Sequence, residues 1–507
     1  MGGIVLIVLH IVLCIIYIPS THHKQITWRE NNMVRNWENY EAVQRFPLLR
    51  DYIKVSGNVS YYNEMAGLLS FFYAQGQTLV DYVRIPVGGS HQDPRIHLFW
   101  IQPTRSGKTI AWEHTGTIIE DIGIEIANFT TGSDAALIGS WNKTNAGTED
   151  EQLDLVPGLL AGKKCLNFDE GSILFDTKSK HLQEVILYLQ QAMNPVGTRA
   201  NVLTKHLKDG EIKTESRVSF WLTTFPPDGV REVVLGKGVF QRVLLLIRPW
   251  TVEQREEVSE RRMNTAFTRP PEYEHGVEDF RDYYRSLRKA CRDRVLLLGD
   301  RSLSEWGNLD IDAREDLVQE IMYDFWEASV DYRPLLNAHK DHMYELVRMM
   351  DDKMMQVCAA FIPNLLNYTL IFSTHLALLD QYTQHGEIKE WAVTGDHLEM
   401  AAEIVYDLYE DLVMWLESEI ELTQTTEARK TREGAWKKAY AKCKLVSVED
   451  KDGDWVRKSE LLTTYAKQNG GISRNTQFLH FKNARTLFIE HSVGVAKFVQ
   501  SAKQWVD

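Results

Sequence analysis

A β-prone run, Arg95-Ile-His-Leu-Phe-Trp-Ile101, leads directly into Gln102-Pro-Thr-Arg-Ser-Gly-Lys-Thr109, and a helix-like stretch follows. No other pattern in the chain constrains its fold as strongly. A strand, a turn ending in Gly-Lys-Thr and a helix make a site for phosphate. Backbone N–H groups of the turn and the helix start cradle the anion, Lys108 neutralises the β/γ oxygens, and the Thr109 hydroxyl ligates Mg²⁺. Gly107 lets the backbone approach closely. Pro103, Thr104, Arg105 and Ser106 complete the loop. Gln102 stands where the first glycine of G-x-x-x-x-G-K-[ST] is expected.

Three later segments supply what such a loop needs. Lys164-Cys-Leu-Asn-Phe-Asp-Glu170 is a short apolar strand ending in two acids. Asp169 is assigned to the metal and Glu170 to the attacking water. Val218-Ser-Phe-Trp-Leu-Thr-Thr224 ends in hydroxyls, so Thr224, or Thr223 beside it, is the candidate γ-phosphate sensor. A strand of this kind is expected between the first two. Gly238-Val-Phe-Gln-Arg242 opens a further apolar run, and Arg242 suits an arginine finger reaching a neighbouring subunit.

The surrounding chain reads as five regions. Residues 1–20 are a hydrophobic segment, 21–88 an aromatic-rich helical region and 89–250 an α/β core alternating strand-like and helix-like runs. Residues 251–432 are helical, with Leu317, Ile321 and Phe325 and then Ile404, Leu408 and Leu412 at four-residue spacing. Thr394 is a fair N-cap for a helix beginning near Gly395. Residues 433–507 read as helix, turn, helix and two short strands. The apolar run 4–18 is too short for an ordinary membrane span and has no Lys or Arg before it. It is an over-extended start ahead of a methionine such as Met33, a single membrane tether, or a buried or cleaved segment. The body of the chain is expected in the cytoplasm.

Lys and Arg number 57 against 70 Asp and Glu, a formal net charge of −13. That excludes a coat binding nucleic acid over its whole surface and leaves room for a local basic channel. Five scattered cysteines without a C-x-x-C pair argue against a zinc ribbon and a disulfide scaffold. One basic stretch stands out. Asp209-Gly210 is a strong hairpin-turn signal, and Arg199, Lys205, Lys208 and Lys213 surround it. A second cluster, Arg429 to Lys444, precedes the C-terminal region.

Taken in order, Pro103 to Thr109, Phe129 to Gly139, Leu166 to Glu170, Phe220 to Thr224 and Gly238 to Arg242 make the chain resemble AAA+ or superfamily-3-type ring helicases. More narrowly it resembles minichromosome-maintenance-like ATPases and the primase-helicase-like replication proteins of phages, plasmids and archaeal elements. The resemblance implies an α/β P-loop NTPase core of AAA+ or RecA-like type, a helical lid domain and a C-terminal winged-helix-like module. It implies ATP and Mg²⁺ as cofactors, a homo-oligomeric ring (a hexamer), single- or double-stranded DNA as partner and a primase or other replication protein nearby. It carries nucleotide binding to Lys108 and Thr109, metal to Asp169, the catalytic base to Glu170, sensor 1 to Thr224 and the trans finger to Arg242. The hairpin before the sensor strand would track DNA, with Lys208 nearest the turn. Residues 474–485 would be the recognition helix of the C-terminal module. The alternatives are a phage-type DNA-packaging motor and a membrane-anchored P-loop ATPase that does not translocate. A packaging nuclease would need carboxylates at strand ends, where the chain after 251 reads helical.

Overall fold

A computed structural model describes residues 37–60, 64–102, 106–129, 134–144, 152–169, 171, 180–207, 210–225, 238–247, 256, 259–260, 263, 272–326, 330–348, 350, 352–388, 391–448, 451–468, 481, 488–493 and 496–501. The hydrophobic segment 4–18 and the recognition-helix segment 474–485, Phe481 apart, lie outside these residues.

The described chain opens with helices α1 (Glu41–Arg45), α2 (Pro47–Ser60) and α3 (Glu64–Leu79), and a small hairpin of β1 (Ile85–Val87) and β2 (Ser90–Gln92). Then come β3 (Leu98–Ile101), α4 (Lys108–Asp121), β4 (Glu125–Asn128), α5 (Asp134–Ile138), β5 (Gly139–Thr144), β6 (Gln152–Pro157) and β7 (Lys164–Phe168). After α6 (Lys180–Ala192) follow β8 (Val202–Leu207), β9 (Gly210–Glu215), β10 (Ser219–Thr224) and β11 (Leu244–Ile247). Helices α7 (Glu272–Leu298), α8 (Leu303–Asn308), α9 (Ile311–Glu320), α10 (Arg333–Val347), α11 (Asp352–Ala359), α12 (Ile362–His385) and α13 (Gly395–Ala441) come next. The C-terminal part holds β12 (Leu445–Val448), β13 (Lys451–Arg457), α14 (Lys458–Gln468), β14 (Phe488–Val493) and β15 (Ala496–Ser501).

Five strands form one parallel sheet in the order β11-β3-β10-β7-β4. The central strands are apolar at nearly every position because helices cover both faces; β3 and β10 are buried throughout. Strand β10 lies between β3 and β7, the place expected for it. Helix α4 is clamped to it by Trp112 against Trp221, ring centroids 5.7 Å apart. Over α4 sit α2, α3 and α7, joined by an aromatic cluster of Tyr52, Phe71, Phe280 and Tyr283.

One contiguous core runs from Tyr40 to Leu416, taking in the N-terminal helices, the sheet and the later helices. The stretch Met354–His385, across α11 and α12, holds a window apolar enough to suggest a membrane span by composition, yet two thirds of that window is buried inside the protein. Helix α12 begins at a proline-bearing first turn and ends on Gly386 in the left-handed region, φ 69°. The long helix α13 starts where expected: the Thr394 N–H donates to His397 Nδ1 at 3.1 Å and Asp396 sits in the first turn.

The far end of α13 enters a second, smaller core of Trp436, Val456, Leu461, Tyr465, Phe481, Phe488 and Val499. Trp436 stacks on Tyr465 at 3.7 Å. Here the sequence reading is incomplete. β14 and β15 stand where two short strands were expected, but they join β12 and β13 in a four-stranded antiparallel sheet. Trp455 lies in β13, which pairs with β12 before it and runs directly into α14.

Candidate functional site

The parallel register brings three chain segments to one edge of the sheet. Ile101 pairs with Thr224, and Phe168 with Leu222. The backbone of Gln102 continues the pairing, its N–H donating to the Thr224 carbonyl at 3.1 Å. The end of β3, Asp169 after β7 and the hydroxyls ending β10 therefore meet.

Gly107 caps α4 in the left-handed conformation, φ 83°, which favours glycine at this position. Lys108 then folds back over the turn. Its Nζ donates to the Gln102 carbonyl at 2.7 Å and to Ser106 Oγ at 3.2 Å. Thr109 Oγ1 donates to Asp169 Oδ1 at 3.0 Å. Thr223 bonds the main chain beside the acid, its hydroxyl donating to the Asp169 carbonyl at 2.9 Å, while Thr224 Oγ1 donates to the Phe225 carbonyl at 3.1 Å. Pro103, Thr104, Arg105 and Glu170 lie outside the described residues.

Gln102, the departure from the usual glycine, has a simple accommodation. Its side chain is fully buried, and Oε1 accepts from the Trp100 indole N–H at 2.6 Å. The carboxamide is thus turned into the protein beside Trp100, and its φ is not positive. Gly171, which the sequence reading passed over, matters more. A Cβ there would lie 2.9 Å from the Phe99 ring and 3.1 Å from the Thr223 carbonyl. A side chain at position 171 would crowd both β3 and β10.

Thr109 and Asp169 are hard oxygen donors at hydrogen-bond distance. Mg²⁺ suits a donor set of one carboxylate, one hydroxyl and phosphate oxygens from a substrate. Among the described residues no group of three or more His, Cys, Asp or Glu gathers to hold a metal by protein ligands alone.

Arg242 stands at the other edge. It precedes β11 by two residues, and Leu244 pairs with Leu98, the first residue of β3. At about 3.3 Å per residue, the length of the sheet separates it from the turn after Ile101. Its Nη1 donates to the Gly238 carbonyl at 2.9 Å and its Nε to Asn194 Oδ1 at 3.4 Å. Burial lowers its pKa from the usual arginine value.

The basic hairpin forms as expected, β8 against β9, with Leu207 opposite Gly210. Lys205 and Lys213 lie on its two strands, and Arg199 sits in the short 3₁₀ turn before it. Lys213 pairs with Glu211 at 2.7 Å. Lys208 lies outside the described residues. The hairpin's base is tied by ions: Arg217 reaches Asp81 at 3.0 Å, Glu215 at 3.1 Å and Glu315 at 3.6 Å. A second hairpin, β5 with β6, stands beside it, and the Trp141 ring lies 3.4 Å from where a Cβ on Gly210 would be. Alternating polarity in Gln152-Leu-Asp-Leu-Val was the available signal for it.

The edge shared by Lys108, Thr109 and Asp169 is the site to compare with known proteins. Neither protein-family models nor curated proteins give a match.

Proposed function

We propose that the chain is a P-loop ATPase that hydrolyses ATP to move along DNA, a helicase or translocase working as a ring. The single observation behind this reading is the Thr109 hydroxyl on the Asp169 carboxylate, beside Lys108, at one edge of a parallel sheet.

The roles follow from chemistry. The Lys108 ammonium, now satisfied by a carbonyl and a hydroxyl, exchanges them for β/γ oxygens of the triphosphate. Thr109 and Asp169 would hold Mg²⁺, which supplies charge neutralisation at the transferred phosphoryl group. Glu170 polarises the attacking water, and the hydroxyls ending β10 orient it. Arg242, a sheet's length away, serves only the nucleotide of a neighbouring copy. The β8–β9 hairpin, with Arg199, Lys205, Lys208 and Lys213, contacts the phosphate backbone.

The test is ATP hydrolysis with and without single-stranded DNA, comparing the native chain with Lys108→Ala. DNA should stimulate turnover, and the substitution should abolish it. Equal turnover in the variant would remove the ATPase reading; turnover indifferent to DNA would remove the motor.

A further inference from the structure

A cavity of about 400 Å³ opens at the sheet edge opposite Lys108, between the start of β3, the segment after α6 and the first turns of α12. This size falls within the range of small-molecule sites. Its wall is polar. Gln92, Asn194, Gln241, Asn364 and Asn367 bring carboxamides to it, and Arg242 brings a guanidinium.

The charges of the wall do not cancel. Asp93 is spoken for by Arg95, with Nε on Oδ1 and Nη2 on Oδ2, each at 2.8 Å. The remaining Arg95 donors go to the carbonyls of Ala192, Asn194, Ser216 and Val218. His97 is neutral, because burial pushes its pKa down to about 3. Arg242 is left as a half-buried cation whose partners among the described residues are the neutral Gly238 carbonyl and Asn194 carboxamide. A desolvated charge without a counter-charge is costly, and a bound anion removes that cost. Asn364 and Asn367 stand in the first two turns of the 24-residue helix α12, where the backbone field has the same sign.

We propose that this cavity binds a small organic oxyanion: a phosphate ester on a hydrogen-bonding body of nucleoside size, its phosphate on Arg242 and its body among the carboxamides. Carboxamides offer donors and acceptors together, which suits a hydroxylated or heterocyclic body better than a bare ion. Binding does not depend on the motor reading. On that reading it has a consequence, since a ligand here withdraws Arg242 from the neighbouring copy and slows turnover.

The probe is AMP, with ribose 5-phosphate and inorganic phosphate alongside. Binding is measured by calorimetry on the full chain carrying Lys108→Ala, so that the loop after Ile101 contributes nothing. AMP should bind, inorganic phosphate at least tenfold more weakly. Arg242→Gln and, separately, Asn367→Leu should each weaken AMP at least tenfold. The second variant decides the matter should the first fail to fold. No binding at millimolar AMP, or affinity unchanged in the variants, overturns the proposal. So does AMP binding that is present in the native chain and lost in Lys108→Ala, which would place the ligand at the other edge. Failure of the ATPase test leaves this result untouched.

Discussion

Sixty residues apart in the chain, Thr109 and Asp169 meet side chain to side chain at 3.0 Å. The hydroxyl comes from the first turn of α4 and the carboxylate from the end of β7, with β10 lying between β7 and β3. The contact exists only because parallel strands end together at one edge.

On the ATPase reading, that contact predicts which substitution removes Mg²⁺ dependence. Asp169→Asn keeps the shape and removes the charge, so Mg²⁺-dependent nucleotide binding should weaken by tenfold or more. Thr109→Ala should cost less, since one neutral ligand is lost. Titration of a fluorescent ATP analogue with and without Mg²⁺ measures both. Unchanged Mg²⁺ dependence in Asp169→Asn would contradict the assignment.

Gly171→Ala should destabilise the fold by about 1–3 kcal/mol, the usual effect of overpacking. The new methyl meets the Phe99 ring and the Thr223 carbonyl. Urea unfolding reads the change, and a neutral outcome would mean that the chain beyond Asp169 does not cross these strands.

Arg84 is fully buried and its Nε lies 2.6 Å from Glu315 Oε1. Glu315→Ala leaves that guanidinium unpaired and should cost about 3–5 kcal/mol. The double change Arg84→Met with Glu315→Leu should recover much of the loss. A double-mutant cycle in urea shows this as strong coupling; additive effects would refute it.

Four buried histidines make the fold sensitive to acid. Burial pushes His97 and His375 down to about 3, and His114 and His339 to about 4. The unfolded chain holds these rings near 6.5, so it binds more protons than the folded chain between about pH 6.5 and 4. Their contribution is complete above pH 6.5 and declines as pH falls through that window. Each histidine contributes up to about 1.4 kcal/mol per pH unit there. Tm should be level from pH 8 to 7 and fall steeply below 6; a level Tm down to pH 5 would count against these neutral rings.

Hairpin cations should act through salt. Lys205→Ala should reduce the slope of log affinity against log salt for single-stranded DNA by about 0.7. Lys213→Ala should reduce it as well, although Glu211 sits 2.7 Å from that ammonium. Slopes equal to that of the native chain in both variants would remove the hairpin from the DNA path.

Much of the core was legible because local chemistry dictates it. A continuous apolar run such as 98–101 has to be buried on both faces, and Gly107 followed by Lys108 marks a turn entering a helix. The Asp209-Gly210 turn and the Thr394 cap are read the same way, from residues within four positions of each other. The C-terminal sheet was only half legible. β12 is short and partly exposed, and its pairing with β13 is irregular in register, so periodicity was weak.

Sequence alone determined the residue types at the turn after β3, the acid pair, the basic hairpin and the helical periodicity within 251–432, because each depends on near neighbours. Tertiary structure alone decided that Thr223 touches Asp169, that Arg242 faces a cavity at the opposite sheet edge, and that Arg217 ties a hairpin to Glu315. These depend on strand order and register, which side chains distant in sequence set together through burial.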